Sequence, residues 1–262
     1  MEQLNLGTLP EGKKVYFASD FHLGTPTYTK SKEREQKIVK WLGSIEDTAH
    51  AIFFVGDIFD FWFEYKYVVP KGFLHFLSKL VQLKEKGVQL FFFTGNHDMW
   101  FFDYFPQELS IPIYREPIEL LINKKKILIG HGDGLGPGDR FYKTIKFFFK
   151  SKLCQRLFAF LHPSIGMWIA NSWSRKSRSS NASHDSIFLG EKEFLIQYCK
   201  TIEATSPYDY YLFGHRHYPT TTTISSSATY INLGDWITFN TYAEFSGDSL
   251  ILKEYLYEAK RD

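Results

Sequence analysis

At 262 residues with 44% apolar side chains, the chain can fill one large core or two small ones, and length alone does not choose. A net charge of +2 is too small to argue for a nucleic-acid partner, and the two cysteines, Cys154 and Cys199, make no disulfide framework. No run approaches the roughly 18 apolar residues of a spanning helix, and residues 1–14 lack the layout of a secretory signal, so a cytosolic, soluble chain is expected.

The first half alternates predicted strands and helices. Residues 14–19 (KVYFAS) read as a short buried strand, and 30–45 carry Ile38, Trp41, Leu42 and Ile45 at helical spacing. Residues 51–55 (AIFFV) read as a second strand. An amphipathic helix follows over 72–86, with Phe73, Phe76, Leu77, Leu80 and Leu83 on one face and Gly87 at its end. Residues 88–94 (VQLFFFT) read as a third strand, and 118–122 with 126–129 as a hairpin around Asn123. The rhythm then breaks. From about 134 to 184 the pattern is two or three short helices, broken near Pro163 and Gly166. Helical periodicity returns over 186–202, followed by a strand over 208–213. The tail, 230–257, alternates apolar and polar residues with turns at Gly234-Asp235 and Ser246-Gly247-Asp248, as antiparallel strands do. The expected architecture is a mixed α/β core of residues 1–133 and 185–262 carrying an inserted helical cap of residues 134–184.

Five segments follow these strand-like runs: Asp20-Phe21-His22, Gly56-Asp57-Ile58-Phe59-Asp60, Gly95-Asn96-His97-Asp98, Gly130-His131-Gly132-Asp133 and Gly214-His215-Arg216-His217. In a strand, the two-residue spacing of Asp20 and His22 projects both side chains to one face, where they can share a cation. Gly56 lets the backbone turn tightly, and the Asp57 carboxylate can bridge two ions through its two oxygens. Asn96 offers an amide oxygen and His131 an imidazole, while His215 and His217 can face one metal each if their loop turns between them. His97 is expected to aim at substrate. Asp60 and Asp133 can orient the ligands or serve as plain turn carboxylates. Singly, an Asp after Gly is most often a turn residue and a lone His most often structural, which is the reading for His50, His75, His162 and His184. Five of the nine histidines nevertheless fall inside these five segments, which makes coincidence a poor explanation.

The order D-x-H, G-D-x-x-D, G-N-H-D, G-H and G-H-x-H resembles that of the calcineurin-like metallophosphoesterases, over residues 14 to about 235. The resemblance implies a β-sandwich flanked by helices (αββα) and two divalent cations. One would be held by Asp20, His22, Asp57 and His217, the other by Asp57, Asn96, His131 and His215, with Asn96 and His215 also reaching substrate. The family's ions are Mn²⁺, Fe or Zn²⁺, and N/O ligation without cysteine suits Mn²⁺. Two such cations about 3.5–4 Å apart can drive phosphoester hydrolysis. His97, as an imidazolium held by Asp98, would stabilise the developing charge or protonate the leaving oxygen.

The insertion speaks to the substrate. Between Arg140 and His184 there are nine Lys or Arg and no Asp or Glu, interleaved with Phe147, Phe148, Phe149, Phe158, Phe160, Trp168 and Trp173. That pairing suits an amphiphile, with acyl chains between helices and phosphates against the basic residues. Its position and character resemble the UDP-2,3-diacylglucosamine pyrophosphatases of lipid A biosynthesis, which release UMP and the diacylated sugar 1-phosphate. The resemblance implies a UDP-sugar lipid substrate, with Asp139 and Tyr142 on the glucosamine and Arg175 or Arg178 on the sugar phosphate. It also implies peripheral contact with the cytoplasmic face of the inner membrane. The best-known members carry Arg where this chain has His97, the general superfamily form. Glu64 and its aromatic neighbours could shape the nucleotide side of the pocket or simply pack. The competing enzyme reading is a soluble phosphatase or phosphodiesterase acting on nucleotides or other phosphoesters. A binding module without activity usually lacks ligands, and all seven are present here. A nuclease would need a long basic groove, whereas these basic residues cluster in one aromatic segment. No obligate protein partner is evident.

Overall fold

Strands that are apolar on both sides need a packing layer on each face, and the fold supplies them. A computed structural model describes residues 1–138, 140–185 and 188–256, with side chains for all of these except 140–141 and 175–185. In chain order the first elements are β1 Gln3–Gly7, β2 Lys14–Ala18, α1 Tyr28–Ile45, β3 Ala49–Val55, α2 Leu74–Glu85, β4 Gln89–Phe93, α3 Tyr104–Leu109 and β5 Ile113–Tyr114. There follow β6 Ile118–Ile122, β7 Lys125–Gly130, α4 Arg140–Lys150, α5 Lys152–Ala159 and α6 Pro163–Asp185. The last are α7 Phe194–Glu203, β8 Tyr210–Phe213, β9 Thr220–Thr223, β10 Thr229–Asn232, β11 Thr241–Ser246 and β12 Ser249–Glu254.

The strands form two six-stranded sheets, ordered β12-β11-β2-β3-β4-β5 and β1-β6-β7-β8-β10-β9. In the first sheet β2, β3, β4 and β5 run parallel, so their carboxyl ends open on one rim. In the second, β7, β8 and β10 are parallel. Alternate residues of β3 serve different layers, as the pleat requires. Ala51, Phe53 and Val55 pack between the sheets with Phe17, Phe91, Ile118, Leu120, Ile129, Leu212 and Phe245. Ile52 and Phe54 face Trp41 and Leu42 of α1 and Phe76 and Leu80 of α2. Leu195 and Cys199 of α7 cover the outer face of the second sheet against Leu128 and Tyr211. The layers are therefore αββα, as expected.

Most predicted elements lie within a few residues of their expected ends. The hairpin is reached through Asn123 and Lys124, both with positive φ (47° and 69°), the geometry of a two-residue type I′ turn. The short edge strands β1, β5 and β9 go beyond the sequence expectation; too few residues carry their pattern, and β9 is four threonines. The tail is only partly antiparallel, since β10 pairs parallel with β8. The expected break at Gly166 is absent: α6 runs through it. A Cβ there would overlap the Tyr65 hydroxyl and meet Phe158 at 3.1 Å, so this glycine allows close packing rather than ending a helix.

Phe53 stacks between Phe17 and Phe91 at centroid separations of 5.1 and 4.5 Å, in the centre of the inter-sheet core. Phe53→Ala is expected to cost about 3–5 kcal/mol, read from the shift in denaturant midpoint.

Candidate metal centre

The five segments converge at the carboxyl ends of β2, β3, β4, β7 and β8, where loops from both sheets meet. Asp20 and His22 lie beyond β2, in a loop rather than in a strand, so strand alternation is not what brings them together. Both have left-handed backbone, φ 56° and 45°, as do Asp57 at 53° and His215 at 66°. Such conformations are uncommon for residues with a Cβ and cluster at functional sites. The loops brace one another: Asp20 N donates to Gly56 O at 3.1 Å, and His22 N to Asp57 O at 2.9 Å. Three motif glycines are spaces for donors. A Cβ at Gly56 would strike the His131 ring, at Gly95 the Asp57 carboxylate, and at Gly214 the Asp20 carboxylate.

All seven expected metal donors come together, in two groups that share one oxygen. In the first, His22 Nε2 lies 3.1 Å from His217 Nε2 and 3.7 Å from Asp20 Oδ1, and His217 Nε2 is 3.2 Å from Asp20 Oδ1. In the second, Asn96 Oδ1 lies 3.0 Å from His215 Nδ1 and 3.4 Å from His131 Nε2. Asp57 Oδ2 joins them, 3.7 Å from His22 Nε2 and 3.4 Å from His131 Nε2. The loop turns between His215 and His217, so each faces a different group. Asp20 Oδ1 is buried without a hydrogen-bond partner. Buried lone pairs aimed at common points repel one another until a cation sits between them, and N and O donors without sulfur fit a hard or borderline divalent pair.

The electrostatics agree. Burial opposes ionisation of Asp20, yet His217 and His22 hold its carboxyl well below the usual range. Burial likewise opposes ionisation of Asp57, and His131 and His97 outweigh it. Burial works to lower His131, but the Asp57 carboxylate overrides it and raises the ring to about 10. Burial, then the charge on His131, lowers His215 to about 4. His131 Nδ1 lies 2.9 Å from Val55 O, a carbonyl that can only accept, so Nε2 is the nitrogen turned to the site.

Two expectations about the supporting residues change. Asp98 does not hold the His97 ring. Its carboxylate accepts from the backbone N–H groups of Ile58 at 2.7 Å and Gly95 at 2.8 Å, and from Asp57 and Phe59 at 3.3 Å. It ties the β3 loop to the β4 loop. The ring is met instead by Asp60, whose carbonyl oxygen lies 3.1 Å from His97 Nδ1 and whose Oδ1 lies 3.5 Å from His22 Nδ1. His97 as an imidazolium also conflicts with its surroundings: burial, opposed by Asp57, lowers the ring to about 4.

Other residues support the centre in roles that the sequence did not assign. Ser174 of α6 is buried and lies 3.1 Å from His97 Nδ1. The Arg34 guanidinium, from α1, donates to the carbonyls of His22 and Thr25. Arg216 is gripped by both oxygens of Glu193 at 3.0 Å, pinning the His215–His217 loop to α7. Asp235 Oδ2 lies 3.7 Å from His217 Nδ1. Its Gly-Asp pair after a strand run reads as a turn, yet it repeats the signal present at Gly56-Asp57.

Of the expected substrate contacts, Asp139 lies outside the described residues, as do the side chains of Arg175 and Arg178. The Tyr142 hydroxyl donates to Asp133 Oδ2, and Lys146 Nζ pairs with the same oxygen at 2.6 Å. Asp133 is thus a buried anchor for α4. Glu64 accepts from Trp62 Nε1 at 3.1 Å and from Asp103 and Tyr104 N at 2.7 and 3.0 Å, which caps α3 rather than shaping a pocket.

Asp57→Ala is expected to lose both metals, and Gly95→Ala to lower metal content by displacing the Asp57 carboxylate; elemental analysis of the purified variants checks both. A cation must displace the proton that the metal-free chain holds on His131. Binding should therefore release a proton and strengthen as pH rises through the neutral range, by up to about tenfold per unit. Calorimetry in buffers of different ionisation enthalpy measures it.

Residues 13–219 match the calcineurin-like phosphoesterase family. A UDP-2,3-diacylglucosamine hydrolase of Porphyromonas gingivalis is 37% identical over 92% of this chain and 97% of its own length. One from Proteus mirabilis is 29% identical over 79% of this chain and 86% of its own. A solved phosphoesterase from E. coli aligns over 90% of each chain at 15% identity, with a TM-score of 0.43. The chain belongs to the calcineurin-like phosphoesterase family and is a metal-dependent hydrolase.

Proposed function

We propose that this hydrolase cleaves the pyrophosphate of UDP-2,3-diacylglucosamine, giving UMP and 2,3-diacylglucosamine 1-phosphate, a step of lipid A biosynthesis. The near full-length likeness to relatives named for that substrate carries the reading. The helical insertion supports it physically. Helices α4–α6 sit over the loops of the metal centre, with Phe158 4.7 Å from Phe63 and 4.8 Å from Trp100 between ring centroids. Several of their apolar residues are not packed: Phe147 is 74% and Phe160 88% exposed, and Phe148, Leu153, Leu157 and Trp168 are exposed as well. Exposed apolar residues gathered on one segment in this number suit a binding face. Lys143, Lys146 and Lys150 are tied to Gly136 O, Asp133 and Glu116, while Lys152 and Arg156 are exposed among the apolar residues. A cavity of about 550 Å³ beside Asp60, lined by Tyr65, Val68, Phe73 and Met167, is of a size to take part of an acylated sugar.

Among the described residues no helix is long and apolar enough to cross a membrane. Peripheral contact with the cytoplasmic face of the inner membrane, through the apolar face and its basic rim, suits both the substrate and these helices. Asp20, His22, Asp57 and His217 would hold one cation and Asp57, Asn96, His131 and His215 the other, a donor set that suits Mn²⁺ and equally admits Fe or Zn²⁺. When bound, the pair supplies Lewis acidity toward phosphoryl oxygens and lowers the pKa of water toward about 7. Asp57 would serve both positions. His97 presents Nε2 to the reacting phosphate, whose negative charge draws a proton onto that nitrogen. From there it can be passed to the leaving sugar-phosphate oxygen.

Release of UMP from UDP-2,3-diacylglucosamine with Mn²⁺ should exceed turnover of UDP-glucose and bis-p-nitrophenyl phosphate by about a hundredfold in kcat/KM. Equal turnover of the unacylated substrates would overturn the lipid assignment. His97→Ala should keep its metals and lose about 10²–10⁴ in kcat.

A further inference from the structure

A polar contact crosses from the helical insertion to the reacting centre. Ser174 lies on α6 and is only 4% exposed. Its hydroxyl donates to Asp60 Oδ2 at 2.9 Å, and the same Oγ lies 3.1 Å from His97 Nδ1. His97 Nδ1 also faces Asp60 O at 3.1 Å. A carbonyl oxygen can only accept, so the nitrogen facing it carries the proton. A hydroxyl whose single proton is given to a carboxylate can offer His97 only a lone pair. Both neighbours therefore ask for Nδ1–H, and no described contact of the ring engages Nε2.

We propose that Ser174 is a positioning residue for His97, fixing its Nδ1–H tautomer and ring plane so that Nε2 is the nitrogen presented to the phosphoester. Ser174 belongs to the insertion and His97 to the core, so the centre is completed only when α6 is docked. Asp60 is the shared hinge of this arrangement, with Oδ2 receiving Ser174 and Oδ1 facing His22 Nδ1 at 3.5 Å. One carboxylate thus relates the insertion to both a metal donor and the substrate-facing ring. At the other end of the insertion, Tyr142 and Lys146 grip Asp133, two residues after His131. Both anchors reach loops that carry metal donors. The inference rests on His97 acting at the phosphoester, and it does not depend on the phosphoester being a lipid.

The test uses the full chain loaded with Zn²⁺ and labelled with ¹⁵N-histidine, and long-range ¹⁵N–¹H spectra that report each ring's tautomer. His97 should be protonated at Nδ1 in the parent and become a mixture of tautomers in Ser174→Ala. With bis-p-nitrophenyl phosphate, Ser174→Ala should lower kcat by about tenfold or more. KM should stay within about twofold and metal content should be unchanged. Ser174→Thr, which keeps the hydroxyl, should restore most of the rate. In a His97→Ala background, Ser174→Ala should cost nothing further, because its effect runs through the ring. A parent His97 protonated at Nε2 and bare at Nδ1 would overturn the proposal without reference to any variant. An equal loss in the His97→Ala background would also overturn it, by showing a structural role alone. Failure of the lipid assignment looks different: UDP-2,3-diacylglucosamine would show no advantage while the Ser174 pattern on the small diester remained.

Discussion

The centre depends on where one carboxylate is held. Asp57 Oδ2 lies between His22 and His131, within 3.7 and 3.4 Å of their Nε2 atoms, and is the one oxygen common to both donor groups. Its other oxygen accepts from His97 N at 2.8 Å, which orients the carboxylate and draws in the loop carrying Asn96. Asp98 accepts from the backbone around Asp57, and Gly95 leaves the space that the Asp57 side chain fills. A buried carboxylate is costly unless charge compensates it, so this position is stable only with imidazoles or cations around it. The chain has built both the constraint and its compensation into one rim.

That rim exists because two sheets pack against each other. Asp20, Asp57 and Asn96 come from loops of one sheet, His131, His215 and His217 from loops of the other. The distance between the sets is therefore set by the inter-sheet core, where Phe17, Phe53 and Phe91 lie against Ile118, Leu120, Ile129 and Leu212. Close-packed interiors deform little, and that stiffness holds donors from distant parts of the chain within reach of a common ion. Left-handed backbone at Asp20, His22, Asp57 and His215 is tolerated because the surrounding loops over-determine it.

The insertion has two unlike faces. Its underside is specific and polar, with Ser174, Tyr142 and Lys146 reaching buried carboxylates next to the metal donors. Its outer side is apolar and open, with Phe147, Phe160 and Trp168 exposed. Polar groups fix orientation because their partners must be met at defined distances, whereas exposed aromatics suit a fluid or acyl ligand that adapts to them. One segment thus joins an open apolar side to a polar side that is tied to the centre.

Much of this was legible in the chain before folding. A mixed α/β core followed from strand-like runs alternating with amphipathic helices, whereas the αββα layering and the two donor sets followed from the family resemblance carried by the Gly, His, Asp and Asn segments where those strands end. Such patterns are local, and local chemistry reports them. The roles of Asp98, Asp60 and Ser174 were not legible. Asp98 adjoins His97 in sequence yet turns to the backbone, while Asp60 and Ser174 meet that ring from positions far from it along the chain. Gly166 read as a break because a glycine's reason for being small was a neighbour, Tyr65, about a hundred positions earlier. The amino-acid order by itself determined which groups could bind metal and which elements would carry them. Only the tertiary structure decided which oxygen faces which nitrogen, because hydrogen-bond partners are chosen by distances that the packing of two sheets and an inserted helix creates.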